Sequence, residues 1–116
     1  MRFKLIMALV DSGETEAVLA AGRRSGATGA TIVTGCRGEG LQPQQSFLGL
    51  RLTGQRDILL FLVEEHMSRA ILEGIATAGA FEEKSGTGIA FQVAIEDAIG
   101  LSHQIAEIKH EIEDQI

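Results

Sequence analysis

Gly86-Thr87-Gly88 sets two glycines around one hydroxyl, immediately before the apolar run Ile89 to Ile95. Glycine lets the backbone turn sharply, and successive N–H groups in such a turn converge on an anion, with the Thr87 hydroxyl as a further donor. The chemistry on offer is a cradle for phosphate or carboxylate; the alternative is a tight loop feeding an edge strand. Arg37 lies in a glycine-rich stretch, Gly35 to Ser46. There it is either solvated or, beside a cradle from a neighbouring subunit, a guanidinium that pairs with a phosphate. His103, Glu107 and His110 have helical spacing, which gives either three ligands for a divalent metal or a solvated face. Cys36 has no second cysteine and no histidine near it, so an inert thiol at a strand end is preferred to a redox sensor. No Ser/His/Asp or Cys/His arrangement is legible, no catalytic residue is assigned, and the chain is not expected to be an enzyme.

These residues have to be positioned by short elements. Phe3 to Val10 reads as a strand, and Asp11-Ser12-Gly13-Glu14 reads as a capping box opening a helix. That helix has Ala17, Val18 and Ala21 on one face, Arg23 and Arg24 in its last turn, and Gly26 as its left-handed stop. Ala27 to Thr34 is a second strand, and Gly35 to Ser46, which holds the only proline, is the main loop. Phe47 to Leu52 resumes extended character before Gly54, and the wholly apolar run Ile58 to Val63 reads as a strand buried on both faces. Glu64 and Glu65 favour a helix start, Met67, Ala70, Ile71 and Ile75 keep its period, and Gly79 ends it. The cradle turn and the strand Ile89 to Ile95 follow.

Strand, helix, strand, strand, helix, strand is the α+β, ferredoxin-like βαββαβ order: an antiparallel sheet with two helices on one face. Phe3 with Ile6, Leu9 with Val10 and Leu59 with Leu60 send apolar side chains out of both faces. The bare face would expose several hundred Å², more than a soluble monomer tolerates, so it is expected to be an oligomer interface. Leu101, Ile105, Ile108 and Ile112 form a helical stripe. Residues 1–100 are therefore expected to form the ferredoxin-like domain, and 101–116 an amphipathic C-terminal helix that docks on its own oligomer or binds a partner.

Bulk properties narrow the function. A net charge of -6 with scattered Arg and Lys argues against nucleic acid, whose phosphates require clustered positive charge. The apolar run Leu5 to Val10 is too short for a signal peptide, and no stretch approaches the ~20 apolar residues of a membrane span. With one cysteine there is no intrachain disulfide, and a cytoplasmic location is expected.

Gly86, Gly88, Phe91, Glu96, Ala98 and Ile99 follow the order of the closing signature of the PII signal-transduction family, which the chain resembles over about Met1 to Ile99. A second matching region is Gly29-Ala30-Thr31-Ile32-Val33-Thr34 followed by Gly38-Glu39-Gly40-Leu41-Gln42. The resemblance implies a homotrimer with an adenine nucleotide site between subunits, at which Thr31, Gly40 and Gln42 fall on lining positions. It also puts Arg56 where the family has a phosphate-binding lysine. Departures are equally visible: Thr87 replaces an aspartate, Ile89 a lysine, and Gly100 and Ser102 two arginines. Each charge-assisted contact with phosphate contributes roughly 1.5–3 kcal/mol, so losing three weakens ATP binding by several orders of magnitude unless Arg37 or Arg51 compensates or the ligand carries fewer phosphates. The loop is shorter than in founding members, and without any Tyr a tyrosine nucleotidylation switch cannot operate. No cofactor is required; ATP, ADP or AMP is expected as effector, bound by Thr31, Arg37, Gly40, Gln42, Arg56, Gly86, Thr87 and Gly88. Partners implied are a second and third copy of the chain and a regulated target, a membrane transporter or metabolic enzyme, engaged by the loop at 36–46. The rival reading is a trimeric divalent-metal protein similar to the CutA group, using His66 or the tail histidines; a cofactor-free monooxygenase is the third.

Overall fold

The computed structural model describes residues 2–36, 46–47, 50–51, 55–84, 86–101, 103, 105–106 and 109. In chain order its strands and helices are β1 (Phe3–Asp11), α1 (Thr15–Arg24), β2 (Thr31–Cys36), the two-residue strands β3 (Ser46–Phe47) and β4 (Leu50–Arg51), then β5 (Arg56–Glu64), α2 (Glu65–Ala78) and β6 (Gly88–Ala94). β3 and β4 pair with each other. The main sheet has the order β2-β5-β1-β6, with β1 antiparallel to both β5 and β6. This is the expected ferredoxin-like arrangement.

Alternation along β1 decides the two faces. Ile6, Ala8 and Val10 are fully buried and, with Leu59, Phe61 and Val63 of β5, meet Val18 and Leu19 of α1 and Ile71 and Ile75 of α2. One step out of phase, Leu5, Met7 and Leu9 pair with Leu62, Leu60 and Ile58 on one side and Val93, Phe91 and Ile89 on the other. No charged residue interrupts this second layer, and Phe91, Val93 and Val33 are 38%, 44% and 43% exposed. Among the described residues the run Ile58 to Val63 is thus fully buried on only one face, because both helices lie on the same side of the sheet.

Several local expectations are corrected. β2 starts at Thr31 rather than Ala27 and runs on to Cys36, with a register shift between Val33 and Cys36. The capping box does not form: Asp11 Oδ1 accepts from Gly13 N at 3.3 Å and caps a short 3-10 turn, Ser12–Glu14, while Glu14 makes no capping bond to α1. Ala17 and Ala70 are exposed, since Leu19 and Gly22 take the packing positions on α1 and Ser68 joins Ile71 and Ile75 on α2. Gly26 is left-handed, as expected (φ 119). At the end of α2 the left-handed residue is Ala80, not Gly79. Gly79 is small for another reason: a Cβ there would lie 2.2 Å from the Phe81 ring.

Beyond β6 the backbone turns at Gly100 (φ 97), a conformation that side chains disfavour, and Ile105 N donates to Leu101 O at 2.8 Å. His103, Ile105, Ala106 and Lys109 are helical. Leu101 and Ile105 line a hollow of about 380 Å³ with Phe3 and Ile95, so the start of the stripe faces the sheet. Glu107, Ile108 and residues 110–116 of the expected tail helix lie outside the described residues.

Candidate functional site

β1 and β5 pair over their full length, so the register carries Asp11 opposite Arg56, and Cys36 of β2 pairs with Arg56 from the other side. Arg56 is 6% exposed and its Nη1 lies 3.0 Å from Asp11 Oδ2. Asp11 N in turn donates to Thr87 O at 3.3 Å, and Ser12 N donates to Gln55 O at 3.1 Å. One end of the sheet therefore gathers the glycine turn, the buried arginine, the cysteine at which β2 ends and an aspartate that bridges them. On the helix side of the same end, Thr15 Oγ1 donates to the buried carboxylate of Asp57 at 2.6 Å, which fixes the start of α1 to β5.

Within the turn, Gly86 has φ 81, and a Cβ on Gly88 would come within 2.8 Å of Leu9 O and 2.4 Å of the Phe81 ring. Gly88 is thus required by the approach of β6 to β1. The Thr87 hydroxyl points inward: its one hydrogen is shared between Ala80 O at 3.1 Å and Lys84 O at 3.0 Å. What the turn can present to an anion is its backbone, with Arg56 as the nearby cation.

Thr31 is placed elsewhere. It pairs with Leu60, near the middle of the sheet, and lines a hollow of about 380 Å³ with Leu5, Leu60, Leu62 and the segment Thr28 to Ala30. β2 and β6 occupy opposite edges. Three strand spacings and a three-residue offset separate Thr31 from Gly88 by about 17 Å. Arg37, Gly40 and Gln42 lie outside the described residues, as does the side chain of Arg51. Cys36 Sγ donates to Val33 O at 3.6 Å.

The other titratable cluster stands at the start of α2. Glu64, Glu65 and His66 have ligand atoms within 4.8 Å of one another. Both oxygens of the buried Glu64 are engaged, however: Oε2 accepts from His66 N at 2.7 Å and caps the helix, and Oε1 meets His66 Nδ1 at 2.5 Å. The hydrogen bond to this carboxylate, and then its charge, raise the pKa of the exposed His66 imidazole above its ordinary value. The arrangement is accounted for as a helix cap with an imidazole held against it. Of the tail ligands, His103 is exposed and helical, while Glu107 and His110 lie outside the described residues.

Sequence reasoning saw Asp11 only as a cap and Asp57 not at all, because both roles depend on strand register. The signal available was the equal length of the two apolar runs, each ending in a charged residue.

Comparison with known proteins agrees with the fold. The family described as Nitrogen regulatory protein P-II matches residues 3–104. Among solved structures, a PII-like signaling protein from Thermus thermophilus is 24% identical, with a TM-score of 0.60 over 82% of this chain and 87% of that one. CPII from Thiomonas intermedia, solved bound to ADP, AMP and acetate, is 21% identical, with a TM-score of 0.60 over 83% of this chain and 90% of that one. No curated protein matches.

Proposed function

The chain belongs to the P-II family, and on that premise we propose that it is a homotrimeric regulatory protein that binds an adenine nucleotide between subunits and signals to a partner protein. The observation that carries this reading is the sheet face left bare by the described residues, apolar from Val33 at one edge to Val93 at the other. A face of that kind is covered by other copies. Copies packed through it also resolve the separation of the site residues. Thr31 and the Gly86–Gly88 turn are about 17 Å apart across one sheet, but the β2 edge of one protomer set beside the β6 edge of the next brings them to a single cleft. The hollow at Thr31 opens on this same face.

The nucleotide carries few phosphates. Ile89 pairs with Leu9 in the apolar layer and supplies no charge where the family has a lysine, and Gly100 is a turn residue where it has an arginine. Arg56, across β1 from the turn, is the cation proposed to receive a phosphate, with Arg37 as a second candidate. CPII holds ADP and AMP, and these are the effectors proposed here. Nucleotide binding controls docking of the loop at 36–46 on the regulated target, a transporter or a metabolic enzyme.

Calorimetric titration of the full-length oligomer with ATP, ADP and AMP tests the reading. Micromolar binding of ADP or AMP at one site per chain, with ATP weaker, is the expected result. Absence of heat with all three overturns it.

A further inference from the structure

Asp11 makes three separate connections at this end of the sheet: its Oδ2 to Arg56, its Oδ1 to Gly13 N, and its backbone N–H to Thr87 O. The Asp11 side chain is 52% exposed and that of Arg56 only 8%, so the carboxylate is the solvent-facing member of the pair. A guanidinium binds carboxylate and phosphate oxygens through the same N–H donors. We propose that Asp11 is a built-in competitor for the effector's phosphate, holding Arg56 in the free protein and giving it up when nucleotide binds. The proposal rests on the reading that Arg56 receives that phosphate.

The consequence is coupling as well as competition. Displacing the carboxylate from Arg56 also disturbs the 3-10 turn that Asp11 caps, which leads directly into α1. The same residue touches the glycine turn through Thr87 and is followed by Ser12, which is bonded to Gln55 at the start of β5. An anion at Arg56 therefore changes the connections among the start of α1, the Gly86–Gly88 turn and the chain returning from the loop. Phosphate and the Asp11 carboxylate carry like charge, so a phosphate at Arg56 disfavours the carboxylate-held state, and each state fixes a different set of contacts at this end of the sheet. The held state lowers apparent affinity by the fraction of molecules not competent to bind.

The test is calorimetric binding of ADP, and separately of inorganic phosphate, to the full-length parent, Asp11→Asn, Asp11→Ser, Arg56→Ala and the Asp11→Asn, Arg56→Ala double variant. Asn and Ser both retain a cap for Gly13 N while removing the competing charge. Expected is an ADP affinity at least about fivefold tighter in both Asp11 variants, no such gain in the double variant, and loss of binding in Arg56→Ala. Inorganic phosphate gaining by the same factor assigns the effect to the phosphate rather than the base. If the Asp11 variants bind ADP no better than the parent while Arg56→Ala loses it, the competitor role is overturned and the nucleotide reading stands. A gain that persists without Arg56 overturns the proposal as well, since it reports general charge. If Arg56→Ala binds as the parent does, or if neither parent nor Asp11→Asn binds, the underlying site assignment falls and the proposal falls with it.

Discussion

Phe91→Asp separates the interface reading from every account in which the chain works alone. Phe91, on the edge strand β6 of the bare face, pairs with Met7 of β1 and is 38% exposed in the single chain. Fully burying a side chain of this size gains about 1.5–3 kcal/mol, so covering the remaining exposed fraction gains about 1 kcal/mol. Val33 and Val93, 43% and 44% exposed, add similar amounts, and their half-buried apolar neighbours on β1, β5 and β6 bring the face to several kcal/mol per chain. A carboxylate at position 91 removes the Phe contribution and, once covered by a neighbour, costs several kcal/mol more. A loss of about 5 kcal/mol per chain lowers each subunit's association constant by three to four orders of magnitude. In a lone chain the same aspartate stays partly wet and leaves the helix-side core untouched. Light scattering coupled to size exclusion should give three times the 12.4 kDa chain mass for the parent and the mass of one chain for Phe91→Asp, with far-UV circular dichroism retained. Phe91→Asp eluting at the parent's trimeric mass, or a parent that is monomeric at micromolar concentration, would refute the assignment of this face.

Three further outcomes follow from single contacts. Thr15→Val removes the hydroxyl that donates to buried Asp57 at 2.6 Å, and should cost about 1–3 kcal/mol in a thermal or denaturant melt, whereas Thr15→Ser should remain near the parent. Gly88→Ala places a methyl 2.8 Å from Leu9 O, so β6 must move off β1 at a cost of about 1–3 kcal/mol; an unchanged melting temperature would show that the strands already have room. Because the folded-state pKa of His66 is raised by Glu64, its stabilising contribution is full below the unfolded value near 6.5 and disappears as pH rises through the folded value. The margin in melting temperature of the parent over His66→Gln should accordingly be largest at acidic pH and vanish in alkali, and a margin independent of pH would disprove the ionic contact.

Element order was legible because each element has its own period and punctuation: Ile58 to Val63 is a strand by its unbroken apolar run, and α2 is a helix by Met67, Ile71 and Ile75. Positions set by packing rather than period were not legible. Gly79 looked like a left-handed stop, yet the constraint on it is the Phe81 ring, and the left-handed residue is Ala80. Ala17 and Ala70 fitted the helical stripes and are exposed, since alanine's small apolar side chain costs little in water. The two-sided apolar pattern gave the bare face correctly, because alternation is a property of the chain itself. The Asp11–Arg56 and Thr15–Asp57 contacts join residues about 45 positions apart, and only the register of β1 against β5 reveals them.

Register also changes how the missing charges are to be understood. Losing a lysine at Ile89 and an arginine at Gly100 would simply weaken a phosphate site if the remaining cation were solvated and idle. Arg56 is neither: it is buried and held by Asp11. A buried guanidinium without a counter-charge would destabilise the free protein, so the carboxylate proposed to compete with nucleotide also supplies a counter-charge to the buried cation. On the proposed reading, Arg56 with Asp11 beside it suits a ligand of low charge whose binding is reported by the group it displaces. On the same reading a triphosphate brings more negative charge than Arg56 offsets, and discrimination against ATP should therefore survive even in Asp11→Asn, where the competitor is gone but no cation has been added.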